Sequence, residues 1–143
     1  MTALGFDAMS VPTITVPIFD HVSVGVRDLD RAVAFYDANL APLGLVRLFR
    51  SARAAGYGPE GFEGEAPFAV IAFGDEARPM LGLHLAFVAK DRTAVDGFFA
   101  AAIANGGVDD GPPGIRDHYD PGYYAAFVHD PDGNRLEAVV HER

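Results

Sequence analysis

The sequence predicts an α+β fold in which one β-α-β-β-β unit occurs twice. Three observations predict it. The stretch from His21-Val22-Ser23-Val24-Gly25-Val26-Arg27-Asp28 to Phe35-Tyr36 aligns without a gap on His84-Leu85-Ala86-Phe87-Val88-Ala89-Lys90-Asp91 to Phe98-Phe99. Such self-similarity marks a repeated supersecondary unit. In each copy a strand-like stretch gives way, across a short charged turn, to a helical stripe. No helical pattern separates the later strands of either half, so those strands are expected to pair largely antiparallel.

The elements follow in order. Residues 1–17 are small, apolar and irregular, and read as an N-terminal extension. Ile18 to Val26 reads as a strand, with Val22, Val24 and Val26 alternating against His21, Ser23 and Gly25. Asp28 or Asp30 caps a helix from about Leu29 to Asn39. That helix would bury a stripe of Leu29, Val33, Tyr36 and Leu40 before Ala41-Pro42-Leu43-Gly44 stops it. Leu45 to Arg50 is a strand, residues 51–66 read as a loop without periodicity, and Phe68 to Phe73 is an apolar strand. Gly74 to Pro79 links the halves. In the second half Gly82 to Ala89 is a strand, and Thr93 to Asn105 is a helix stopped by Gly106-Gly107. Gly111-Pro112-Pro113-Gly114 opens a loop that leads to a strand over Tyr123–His129. Asp130-Pro131-Asp132-Gly133 is a strong turn signal, and Leu136 to His141 closes the chain as a strand.

At 143 residues, half of them hydrophobic, the chain fits one domain over residues 18–143, divided into modules 18–75 and 80–141. The net charge of −9 argues against nucleic acid or an anionic membrane as partner, since both require a basic surface. Cysteine is absent, which excludes disulfides, thiolate metal sites and cysteine nucleophiles. No apolar run approaches membrane-spanning length, and the start of the chain lacks the pattern of a secretory signal; a cytoplasmic location is expected.

Alternate residues of a strand share a face. His21 lies with Ser23 and Gly25, His84 with Ala86 and Val88, and Glu137 with Arg135 and Val139. The opposite, more apolar faces are those a helix should cover. Two strands that open with His at repeat-equivalent positions can aim both imidazoles at one point. With Glu137 they make a two-His, one-carboxylate set that suits Fe, Mn or Zn and leaves coordination positions for substrate.

These residues resemble the vicinal oxygen chelate superfamily, which includes glyoxalase I, fosfomycin-resistance enzymes, extradiol dioxygenases and bleomycin-resistance proteins. The resemblance is carried by Phe19-Asp20-His21-Val22, Phe35-Tyr36, Leu83-His84-Leu85-Ala86-Phe87 and Asp130-Pro131-Asp132-Gly133-Asn134-Arg135-Leu136-Glu137. It implies paired βαβββ modules forming an open cupped sheet, a divalent metal (Fe, Mn, Zn or Ni) on His21, His84 and Glu137, and a homodimer, often with modules paired across chains. Where glyoxalase I has a fourth ligand, this chain reads Ala69-Val70-Ile71-Ala72-Phe73, with no donor. The three-ligand pattern is closer to the dioxygenases and fosfomycin enzymes. Extradiol dioxygenases add a further His and Tyr, for which His118, Tyr119, Tyr123 and Tyr124 are the nearby candidates. Fosfomycin enzymes bind a phosphonate through basic groups, whereas this chain is acidic.

Two readings follow. In one, the protein is a small metalloenzyme, a lyase or dioxygenase that chelates vicinal oxygens of a small organic substrate. Glu137 or a metal-bound hydroxide would move a proton and Tyr124 donate a hydrogen bond to substrate, given a four-residue turn at Asp130–Gly133 that sets Tyr124 on the face of Glu137 and Tyr123 under a helix. In the other, the same cup is a metal-free binder that sequesters an apolar or aromatic compound. Each residue also has a plainer reading: a strand His is commonly a hydrogen-bonded structural residue, and Tyr123-Tyr124 are good strand formers. His129 and His141 read as solvated surface, and Asp117-His118-Tyr119-Asp120 as loop polarity or a second small polar site.

Overall fold

The computed structural model describes residues 18–142. The extension expected over residues 1–17 lies outside them. Ten elements carry the fold: β1 (Val22–Val26), α1 (Leu29–Leu40), β2 (Leu45–Arg50), β3 (Ala54–Pro59), β4 (Phe68–Ala72), β5 (His84–Val88), α2 (Arg92–Ala104), β6 (Val108–Ile115), β7 (Tyr123–His129) and β8 (Arg135–His141). They form two four-stranded sheets with the same connectivity, β1-β4-β3-β2 and β5-β8-β7-β6. In each sheet the first strand pairs parallel with the last, and the remaining pairs are antiparallel. The architecture is α+β, with two open sheets and no closed barrel.

The repeat shows first at the helix starts. Asp28 accepts the Arg31 N–H at 3.3 Å and Asp91 accepts the Ala94 N–H at 2.8 Å, so aligned aspartates cap both helices. On α1 the expected stripe Leu29, Val33, Tyr36 and Leu40 is buried, joined by Ala32 and Phe35. On α2, Ala94, Val95, Phe98 and Ala102 are buried. Together with Val24, Val26, Val70, Val128, Leu136 and Ala138 from the sheets they form one core spanning both halves. The valine faces are thus inside, and the faces bearing Ser23, Gly25, Ala86 and Glu137 point the other way.

Two segments expected to be loops are strands. Within residues 51–66, Ala54–Pro59 forms β3, whose Tyr57 is buried. Its glycines fill tight space: a Cβ on Gly56 would lie 2.2 Å from the Phe49 ring, and one on Gly58 2.8 Å from Leu48 Cδ1. Glycine here serves close packing, which has no periodic signature. The Gly111–Gly114 stretch lies within β6, an edge strand whose register shifts between Asp109 and Gly111 and again before Gly114. Bulges on an edge let Pro112 and Pro113 sit in a strand without breaking a central ladder.

The turn between β7 and β8 is longer than expected. His129 pairs with Arg135, leaving five residues, Asp130–Asn134, in the connection. Asp130 is buried at 1% exposure and organises the turn. Its Oδ1 accepts the N–H groups of Asp132 (2.9 Å) and Asn134 (2.8 Å), and its Oδ2 accepts the Asn134 side-chain amide (2.9 Å). The same turn clasps the first module. Tyr36 donates its hydroxyl to Asp130 Oδ2 at 2.6 Å, Asn134 donates to the Gly25 carbonyl at 3.0 Å, and Asp132 accepts from the Arg27 N–H and Arg31 Nη2, each at 2.9 Å.

Candidate functional site

Adjacent strands of the second sheet place the second-module residues. Ala86 is the register partner of Glu137, Phe127 lies opposite Glu137, and His84 opposite Arg135. Glu137 is 1% exposed on the concave face. Its carboxylate meets His84 Nε2 at 3.1 Å through Oε1, and Oε2 accepts the Tyr123 hydroxyl. Burial, then the hydrogen bond to Glu137 and its charge, raise the Tyr123 pKa, so the phenol stays a donor. These groups open into a cavity of about 260 Å³ lined by His84, Tyr119, Tyr123, Phe127, Arg135 and Glu137. Beneath it Ala125, Phe127 and Val139 form a small apolar floor.

The expected site residues separate into three groups. His84 and Glu137 come together as expected. His21 does not join them: it stands half exposed just before β1, its Nδ1 2.7 Å from Asp20. That hydrogen bond raises the His21 pKa above its usual 6.5. Among the described residues no group of three or more His, Cys, Asp or Glu is placed so that it could hold a metal ion within the chain. Two donors therefore converge in one chain, and His21 sits on the other sheet.

Tyr124 departs from expectation. It lies on the helix side, where its hydroxyl donates to Asp96 Oδ1 of α2 at 2.7 Å. Tyr123 occupies the place expected for Tyr124. The cause is the five-residue turn: one extra residue between β7 and β8 reverses the parity of every β7 side chain relative to Glu137. The clue in the sequence was Asn134, which continues the turn begun by Asp130. Tyr119, one of the nearby candidates, also lines the site, and so does Phe127, which was not singled out for it. Phe127 is found by counting back from Glu137 with the corrected turn, whereas Tyr119 comes from a loop with no periodic signal.

A second, largely apolar groove of about 410 Å³ runs between the two first strands, bounded by Phe19, Val22 and Phe68 on one side and Leu83, His84 and Phe87 on the other. Phe68 and Phe87 meet edge to face there, 5.3 Å between centroids. His84 borders both this groove and the cavity. His118, Tyr119, Tyr123 and His141 form a chain of ring contacts along the rim.

Known proteins share this architecture. The family model of the Glyoxalase/Bleomycin resistance protein/Dioxygenase superfamily matches residues 18–138. A glyoxalase/bleomycin resistance protein from Albidiferax ferrireducens T118 superposes with a TM-score of 0.77 at 36% identity, over 86% of this chain and 98% of that one. A glyoxalase-related enzyme from Fulvimarina pelagi gives a TM-score of 0.65 at 22% identity, over 87% and 88%. The genomically encoded fosfomycin resistance protein FosX from Listeria monocytogenes gives 0.61 at 17% identity, over 87% and 93%. A comparison with curated proteins returns no match. The matched length and the 36% relative together show that the chain belongs to the Glyoxalase/Bleomycin resistance protein/Dioxygenase superfamily.

Proposed function

We propose that this protein is a small metalloenzyme that works as a homodimer. His84 and Glu137 of one chain and His21 of a second copy would hold a divalent ion, which takes a small organic substrate through two adjacent oxygens. The observation that carries the reading is the meeting of His84 with the buried Glu137 at the cavity. A carboxylate this buried calls for a compensating cation or donors. It has a neutral donor in Tyr123, while His84 supplies a nitrogen of the kind that divalent metals select.

The second copy follows from the placement of His21. It precedes β1, which is an edge strand, and His84 opens β5, also an edge. A two-fold dimer that sets one chain's β1 beside the other's β5 would bring the repeat-equivalent histidines together and form two equal sites. When bound, the ion supplies Lewis acidity toward the substrate oxygens. The chain's own residues do the rest. Tyr123 fixes the Glu137 carboxylate by donating to Oε2, leaving Oε1 beside His84. That oxygen would hold the ion when it is bound, and would take up or return a proton only when free of it. Phe127 and Val139 keep water from the floor. The reaction falls in the lyase or dioxygenase range suggested by the family.

The test is metal stoichiometry in protein purified without chelator, with His21→Ala, His84→Ala and Glu137→Ala beside it. Each variant is expected to lose tight metal binding, because each removes a ligand and the facial geometry. Mixing His21→Ala with His84→Ala chains under exchange is expected to restore part of the capacity. A mixed dimer with cross-chain sites keeps one site whole. No recovery on mixing would place all ligands within one chain, and no stoichiometric metal in the unmutated protein would favour the metal-free binder.

A further inference from the structure

We propose that residues 11–17 of this chain, running back from Ile18, cover the apolar groove between β1 and β5. The occupant is the chain's own segment, which closes the place where the core opens to solvent.

The groove holds about 410 Å³ and is walled mainly by Phe19, Val22, Phe68, Leu83 and Phe87. Phe68 belongs to the core and Phe87 packs against it, so the groove is where the core reaches the surface. Apolar exposure gathers at its ends. Just before β1, Ile18 is 83% exposed and Phe19 75%, and in the link before β5 Met80, Leu81 and Leu83 are exposed as well. Large apolar side chains left bare in one place mark an interaction surface.

Position, reach and chemistry name the segment that fits it. Phe19 already lines the groove, so the chain before it departs from the groove's own wall. A segment tethered this closely meets the groove at an effective concentration that a separate molecule does not match. Seven extended residues span up to about 25 Å. The five residues of β1 or of β5 cover roughly 17 Å. Residues 8–19 carry no charged side chain in a chain that is 22% charged, so burying them strands no ion. Within them Thr13-Ile14-Thr15-Val16 consists of strand-forming types. Ile14, Val16 and Ile18 fall on alternate positions, so in an extended chain they share one face and the threonines take the other. The apolar face matches the groove. Val22 and Phe68 are register partners, and Phe87 alternates with Ala86, the partner of Glu137. The groove therefore lies on the faces turned away from Glu137, and covering it leaves the cup free.

The test uses the full-length protein and the hydrophobic dye ANS. Ile14→Asp combined with Val16→Asp is expected to raise ANS fluorescence severalfold, since charge on the apolar face frees the segment and bares the groove. Thr13→Asp combined with Thr15→Asp adds the same charge on the other face and is expected to leave the fluorescence at the unmutated level. Equal fluorescence of the unmutated protein and the first variant, or an equal rise in both variants, would overturn the proposal. A second measurement exploits the lack of cysteine in the chain. Ile14→Cys combined with Leu83→Cys is expected to form a disulfide within one chain on mild oxidation. Ile14→Cys combined with Val108→Cys, exposed on the edge strand β6, is expected to stay reduced. No link to position 83, equal linkage at both positions, or links that join only separate chains would each overturn the assignment.

Discussion

Asp130 shows how one residue can set the geometry of a site it does not touch. It is buried, and burial raises its pKa, while hydrogen bonds from Tyr36, Asn134 and Asp132 pull the other way. Those four bonds fix a five-residue connection, and the connection decides that Tyr123 and Phe127, not Tyr124, face Glu137. Asp130→Ala would strand the Tyr36 hydroxyl and the Asn134 amide in the interior. We expect a loss of about 2–4 kcal/mol in denaturant unfolding, the scale of several orphaned buried donors. A loss below about half a kcal/mol, as at an exposed site, would mean that the turn is held by other contacts. The site was partly legible at this scale. His84 and Glu137 follow from the repeat and from strand alternation. Tyr124 was misplaced because the side-chain period of a strand is two, so a single uncounted turn residue, Asn134, inverts the face.

At the scale of elements, α2 closely approaches the segment after α1. A Cβ built on Gly97 would lie 2.9 Å from Pro42 Cβ and 3.2 Å from its Cγ. Alanine in a helix normally improves stability over glycine by about 1 kcal/mol. Here the rigid proline ring cannot give way, and overpacking of this kind costs about 1–3 kcal/mol. Gly97→Ala is therefore expected to lower the midpoint of denaturant unfolding. A higher midpoint would show that the two segments separate easily. The same tension between local preference and packing explains which elements could be read in advance. Both helices carry Asp caps and long apolar stripes, so their signals agree with their surroundings. β3 and β6 carry Gly and Pro, which locally spell turn. They are strands because small residues fit beneath Phe49 and Leu48 in one case, and because an edge tolerates bulges in the other. Tertiary packing decided both, and no window of sequence contains it.

At the scale of the whole molecule, the core is tied together through phenols, and this makes stability depend on alkaline pH. Tyr36 joins the first module to the turn of the second, and its pKa is raised well above 10, first by burial and then by the Asp130 charge. Burial and the hydrogen bond to Asp37 raise that of Tyr57, and burial and Glu137 that of Tyr123. A group whose folded pKa lies above its unfolded value contributes stability that is fully present below the unfolded pKa and lost as pH rises through the folded one. For a tyrosine the unfolded value is about 10. Above it the unfolded chain releases phenolic protons that the folded chain keeps, so unfolding gains free energy with each further rise. Lysine, which would otherwise titrate in the same range, is represented by Lys90 alone, and the arginines stay charged. The melting temperature is expected to hold between pH 8 and about pH 9.5 and then fall steadily. Tyr36→Phe is expected to lower the starting stability, because Asp130 loses a donor, and also to flatten the fall. The steepest contribution of one fully buried phenol is about 1.4 kcal/mol per pH unit. Melting curves of both proteins across this range read the slope separately from the starting value. Equal slopes would show that Tyr36 ionises in the folded chain as readily as in the unfolded one, and that the bond between the two modules is open to solvent.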